Sequence, residues 1–252
     1  MSIPSKAPGI SSKSLVEWMN EGIAHYKAKC YEKALFAYER AIEINPYYGF
    51  AYSNKAGVLN ALGRYEQALA AYEQAIELRS NSAYDYIGKG DVLCNLQRYD
   101  EALVAYKRAL QLSPDNIYAH KGIGDVLYGL RRYEEALQAF QTVIQLDPYG
   151  AEAYCSIGDI LMEMQRYEQA LHAYSMALRL DPRSATTYNN LGNLLLLMKN
   201  PEGAVRSYTE AIRLSPQEAA LYYNLSLVLT ELGRDEEARQ VMKRARELGY
   251  GL

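Results

Sequence analysis

Three aspartates, Asp91, Asp125 and Asp159, recur at intervals of 34 residues, and Gly88, Gly122 and Ser156 stand three residues before them. Carboxylates next to small residues can pair with lysine or arginine, or hold a divalent cation. Phe50, Tyr84, Tyr118 and Tyr128 are aromatic neighbours that suit a cationic side chain through cation–π contact. Lys121 lies one helical turn before Asp125 and offsets part of the acidity. Asn20, Asn54, Asn190, Asn193 and Asn224 add amides with one acceptor and two donors each, able to pair with a peptide backbone without reading its sequence.

The remaining reactive residue types form no such set. Cys30, Cys94 and Cys155 are an odd number, widely spaced, and fit neither a disulfide framework nor a zinc site. His25, His120 and His172 are equally scattered. No nucleophile is spaced with a base, and no metal or phosphate-loop motif is present. Gly88-x-Gly90 and Gly122-x-Gly124 resemble half of a dinucleotide loop, but they fall inside helical patterns with no strand before them.

The elements that position these residues follow from the same 34-residue interval. Cutting the chain at residues 15, 49, 83, 117, 151, 185 and 219 gives seven blocks in register. Position 20 of every block is alanine, from Ala34 to Ala238. Position 24 is aromatic in six (Tyr38, Tyr72, Tyr106, Phe140, Tyr174, Tyr208), and position 8 is small throughout, from Gly22 to Ser226. Spacings of four and seven among positions 4, 8 and 11, and among 20, 24 and 27, place each set on one helical face. Small residues let two helices approach while the rings fill the space beside them. The pattern breaks near position 15, at stretches such as Gly63-Arg64 and Gln97-Arg98, and again at Asn45-Pro46, Ser113-Pro114, Asp147-Pro148, Asp181-Pro182 and Ser215-Pro216. A residue before proline disfavours helix, so these pairs end the second helix of a block. A fixed period of this length is the mark of stacked helix pairs.

With its order of aromatic, small, Tyr, Ala, aromatic, Ala and Pro, the block resembles the tetratricopeptide repeat family over residues 15–252. The resemblance implies an all-α, right-handed α-solenoid, a superhelix of seven antiparallel helix pairs. The repeats are then 15–48, 49–82, 83–116, 117–150, 151–184, 185–218 and 219–252, after a leader, 1–14, read as disordered. It carries no catalytic residue and implies a non-catalytic interaction scaffold or adaptor. It also places positions 2, 5, 6, 9, 12 and 13 of each block on the concave surface, and hence all sixteen residues of the opening paragraph. Related arrays, notably in O-linked N-acetylglucosamine transferases, carry an asparagine ladder at position 6. Here that position reads Asn20, Asn54, Gly88, Gly122, Ser156, Asn190, Asn224, so the ladder is missing at the centre.

On this placement the acids and rings make a roomy acidic groove suited to a peptide or partner protein carrying a basic segment. The competing reading leaves the carboxylates as solvated surface. A carboxylate clamp of the chaperone-tail type is not expected, because in the first three blocks only Asn54 matches its pattern. An alternative role is a structural or self-assembling module acting through its convex or end faces. A shared metal site is not expected, on the argument that equivalent positions lie two helix widths apart, about 20 Å. No cofactor is expected.

A net charge of −3 argues against a nucleic-acid partner, which needs a basic stripe. No apolar run reaches membrane-spanning length, and Met1–Lys6 lacks a signal-peptide core, so the expected location is the cytoplasm. Positions 21 and 28, aliphatic in six blocks, are Arg239 and Arg246 in the seventh. Charges there are comfortable only beside water, so the last block reads as a solubilising cap on a monomer.

Overall fold

The structure is a computed structural model that describes residues 13–79 and 81–251. Most of the leader read as disordered, residues 1–12, lies outside the described residues. The described residues form fourteen helices and no strand. The first helices of the blocks are α1 (Leu15–Lys27), α3 (Gly49–Ala61), α5 (Ala83–Asn95), α7 (Ile117–Gly129), α9 (Ala151–Glu163), α11 (Ala185–Leu197) and α13 (Ala219–Glu231). The second helices are α2 (Tyr31–Ile44), α4 (Tyr65–Leu78), α6 (Tyr99–Leu112), α8 (Tyr133–Leu146), α10 (Tyr167–Leu180), α12 (Pro201–Leu214) and α14 (Asp235–Glu247). The chain is a helical solenoid of consecutive pairs, as the sequence pattern predicts. It divides into two compact units, Met1–Val126 and Leu127–Leu252, with the boundary inside α7.

Local chemistry sets the helix ends. Ser14 caps α1 in a reciprocal box: its hydroxyl accepts from the Glu17 amide at 3.3 Å, and the Glu17 carboxylate accepts from the Ser14 amide at 2.7 Å. Position 15 is left-handed in all seven blocks, with φ between 57° and 72°, although only Gly63 and Gly233 are glycines there. The next amide then reaches back to close the helix end, as Cys30 N does to His25 O at 2.9 Å. Asn45 is extended, at φ −140° and ψ 96°, as a residue before proline should be. Pro201 opens α12 from the first turn, where no amide donor is missed.

The core is a ribbon of small residues and rings. The position 20 alanines are buried in every repeat, and so are the six position 24 rings. Within the first unit α1 packs on α2, α3 on α4, and α5 on α6; within the second, α9 packs on α10, α11 on α12, and α13 on α14. First helices of consecutive repeats also touch directly, α1 with α3, α3 with α5, and α9 with α11. Equivalent positions are therefore about one helix spacing apart, ~10 Å, and not the two helix widths assumed from the pairing of helices.

The joint between repeats two and three carries a buried polar cluster. Arg79 stands where five of the other repeats have Asn, Ser or Asp, and position 32, usually proline, is serine there. Its guanidinium donates to both Asp85 oxygens, at 2.7 and 3.0 Å, and to Ser53, which in turn donates to Asp85. Asp85 is fully buried. The guanidinium lies 3.8 Å from the Phe50 ring centroid. Gly49 makes room for the arginine, since a Cβ there would fall 2.8 Å from Arg79 Cγ.

Candidate functional site

The first helices of repeats three and four present the first unit's main groove. Tyr84 and Asp91 from α5, with Tyr118, Lys121 and Asp125 from α7, line one cavity of about 770 Å³. Ile87, Cys94 and Asn95 of α5, Tyr106 of α6, Asn116, and Gly122 of α7 complete its wall. Tyr84 and Tyr118 are 64% and 74% exposed, so their faces are free to receive a ligand.

Asp91 sits at the groove floor and accepts a 2.7 Å hydrogen bond from the Tyr106 hydroxyl. Its carboxylate touches water, yet protein crowds it closely enough to raise its pKa above the ordinary carboxylate value. The Tyr106 bond and the charge of Lys121 oppose that rise without cancelling it. The same atoms raise the Tyr106 phenol, through burial first and the neighbouring carboxylate second.

This pairing recurs between positions 9 and 24. Tyr174 donates to Asp159, and Tyr208 to Asn193 at 2.6 Å. Phe140 has no hydroxyl with which to do the same for the fourth repeat. In the first two repeats the partner is missing from the other side, because position 9 is Ile23 or Gly57. Tyr38 and Tyr72 are only 2% and 4% exposed, and no described residue hydrogen-bonds either hydroxyl. Neither oxygen is sealed from solvent. Burial holds both phenols protonated, raising Tyr38 to about 12 and Tyr72 further.

The central glycines at position 6 are not open gaps. A Cβ on Gly88 would fall 2.2 Å from Tyr72 Cζ, and one on Gly122 would fall 2.5 Å from Tyr106 Cζ. Each glycine is covered by the ring of the preceding repeat. The groove's room lies between Tyr84 and Tyr118, with Gly122 in its wall and Gly88 outside it.

The other candidate residues occupy different surroundings. Asn20 is exposed on α1 and Asn54 half-buried on α3. Phe50 packs against Arg79 and lies 5.6 Å from the Tyr48 ring. In the second unit, Asn224 donates to Asn189 at 2.9 Å, Asn189 to Asn190 at 3.3 Å, and Asn190 to Asp159 at 2.8 Å. Asp159 thus ends a chain of amides across three repeats, and burial raises its pKa against the Tyr174 and Asn190 bonds. Tyr128 packs 5.9 Å from the Tyr133 ring. The asparagines at this end are spent largely on one another.

Among the described residues no three of His, Cys, Asp and Glu converge as a metal site would require. Burial raises Cys155 to about 11 and also raises Cys94, which keeps both thiols protonated and poorly nucleophilic at neutral pH. No described helix is long and apolar enough to cross a membrane. Sequence reasoning missed the Arg79 cluster and the two unpartnered hydroxyls. Both had a signal: Asp85 sits where Ala51, Ala119 and Ala153 stand, and position 9 loses its acceptor in the first two repeats.

Comparison with known proteins agrees with this architecture. The family model described as "Tetratricopeptide repeat" matches residues 16–48, 50–82 and 185–218, and a second of that description matches 219–248. A "TPR repeat" model matches 90–131, 124–165 and 158–199. No curated protein matches the chain in sequence. Among solved structures, YrrB, described as a TPR protein with an unusual peptide-binding site, is 30% identical, with TM-score 0.56, over 71% of this chain and 93% of its own. MamA is 25% identical, with TM-score 0.58, over 63% of this chain and 93% of its own. A tetratricopeptide repeat protein from Parabacteroides merdae shares the fold over 94% of both chains, with TM-score 0.76 at 18% identity.

Proposed function

Because the chain belongs to the tetratricopeptide repeat family, we propose that it is a non-catalytic protein-interaction scaffold whose first unit binds a basic peptide segment in the groove between α5 and α7. The observation that carries this reading is the shared cavity of Tyr84, Asp91, Tyr118 and Asp125. Its acids supply ion pairs and its exposed rings supply cation–π contact, both to the same arginine or lysine side chains. The peptide-binding site described for YrrB supports a peptide as the ligand class. An unstructured peptide loses entropy on ordering, so an affinity near the micromolar range is expected.

The test is titration of a labelled arginine-rich peptide with the wild-type chain and with the Asp91→Asn, Asp125→Asn double variant. Asparagine can still accept from a tyrosine hydroxyl, as Asn193 does from Tyr208, so folding should be preserved. The expected result is about a tenfold or greater loss of affinity, with a weakened salt dependence. Equal binding by both proteins would remove the acidic groove as the site.

A further inference from the structure

The chemistry of the first unit's groove selects among basic peptides. An ordinary extended peptide presents amide donors and carbonyl acceptors alternately, and an asparagine ladder answers both. In repeats three and four that ladder is replaced by Gly88 and Gly122, each covered by a tyrosine ring. What remains is of three kinds: phenol hydroxyls, exposed rings and carboxylates. Tyr72 reaches between the first helices, its hydroxyl 3.8 Å from where a Cβ on Gly57 would stand and 2.4 Å from one on Gly88. Tyr38 and Tyr72 are almost wholly buried, yet their hydroxyls have no partner among the described residues and stay open to solvent. A hydroxyl left unpaired at the end of a buried ring is a donor waiting for an acceptor.

Resting on the reading of this groove as a peptide site, we propose that its ligand is a proline-rich basic segment in the polyproline II conformation. Such a chain has carbonyls with no internal hydrogen bond and, at each proline, no amide donor to satisfy. Tyr38 and Tyr72 stand outside the lining of the α5–α7 cavity, in repeats one and two, and would donate to its carbonyls where the segment runs on past Gly88 over α3 and α1. Proline rings stack on exposed aromatic faces, which Tyr84 and Tyr118 provide. The periods also agree. Polyproline II completes a turn every three residues, about 9 Å, and first helices packed side by side are about 10 Å apart. Every third ligand residue therefore meets the same position of the next repeat, and an arginine in each triplet falls in turn to Asp91 and Asp125.

The test uses the full chain and fluorescence anisotropy with two labelled peptides: four Pro-Pro-Arg triplets, and four Ala-Ser-Arg triplets of equal charge. The variant is Tyr38→Phe with Tyr72→Phe. Phenylalanine is native at this position in the fourth repeat as buried Phe140, so the fold tolerates it. Tyr208→Phe, whose hydroxyl is already bonded to Asn193, is the control. The expected results are about tenfold tighter binding of the proline peptide and a fivefold to tenfold loss in the double variant, with little change for the alanine-serine peptide or in the control. Equal affinity for the two peptides, or no effect of removing the two hydroxyls, overturns the proline inference. If the Asp91→Asn, Asp125→Asn variant still weakens both peptides, the groove itself stands. Failure of both peptides to bind the wild type overturns both readings together.

Discussion

Gly88 has no side chain because Tyr72 occupies the space a side chain would need. The position 24 ring is wedged between position 8 of its own repeat and position 6 of the next. In the third repeat both are glycines, Gly90 and Gly122; in the second, Ala56 replaces the first glycine, so Gly88 is the side that must give way. Restoring the asparagine ladder with Gly88→Asn should therefore destabilise the protein by about 1–3 kcal/mol through overpacking. Thermal unfolding followed by circular dichroism measures this. Adding Ala56→Gly, which lets the ring fall back, should recover part of the loss. No recovery would mean that the ring is fixed by contacts other than these two. The ladder's interruption was legible in the sequence. Its cause was not, because the ring that fills the gap comes from the preceding repeat.

At the scale of elements, the joint between α3, α4 and α5 is held by a charge pair where other joints rely on proline and apolar packing. Fully buried Asp85 faces Arg79, whose Nε is itself buried without a partner among the described residues. Such a pair adds little net stability, but breaking it strands a charge. Asp85→Ala should cost about 3 kcal/mol in urea unfolding, and Arg79→Met with Asp85→Ala should cost clearly less. Equal losses in the two variants would show that the cluster acts through shape and not through charge. The left-handed residue at position 15 illustrates the reverse limit on sequence reading. Glycine announces that conformation at Gly63 and Gly233, whereas Lys29, Gln97, Arg131, Gln165 and Lys199 adopt it only because the helix hairpin requires it.

For the molecule as a whole, the repeated helix pair leaves a terminal surface that no described helix covers. In the first unit the position 21 leucines Leu35, Leu69 and Leu103 are buried, and Leu137 and Leu171 in the second are half-buried. On α14 that position is Arg239, whose side chain is 73% exposed and pairs with Glu236 at 3.1 Å, and Arg246 is exposed as well. Charges at these positions oppose stacking of a second copy, which would have to desolvate them. Replacing them with the aliphatic residues of other repeats, Arg239→Leu with Arg246→Ile, should produce concentration-dependent association in sedimentation velocity. A variant that sediments as the wild type does at every concentration would remove these charges as the barrier to stacking.

The sequence by itself determined the repeat, its helices and the family, because the 34-residue period places small residues and rings where close helix packing is a local, repeated requirement. It also marked the acids and rings of the groove, since each stands at the same position of its block. Only the tertiary structure decided how those positions meet. First helices touch at α1–α3, α3–α5 and α9–α11, so equivalent residues there lie about one helix spacing apart. Asp91 and Asp159 each accept from a tyrosine, Gly88 and Gly122 are covered by rings, and Tyr38 and Tyr72 keep hydroxyls without a partner among the described residues. Each of these facts is a relation between helices, set by which side chain reaches a shared space first, and a period along one chain does not specify it.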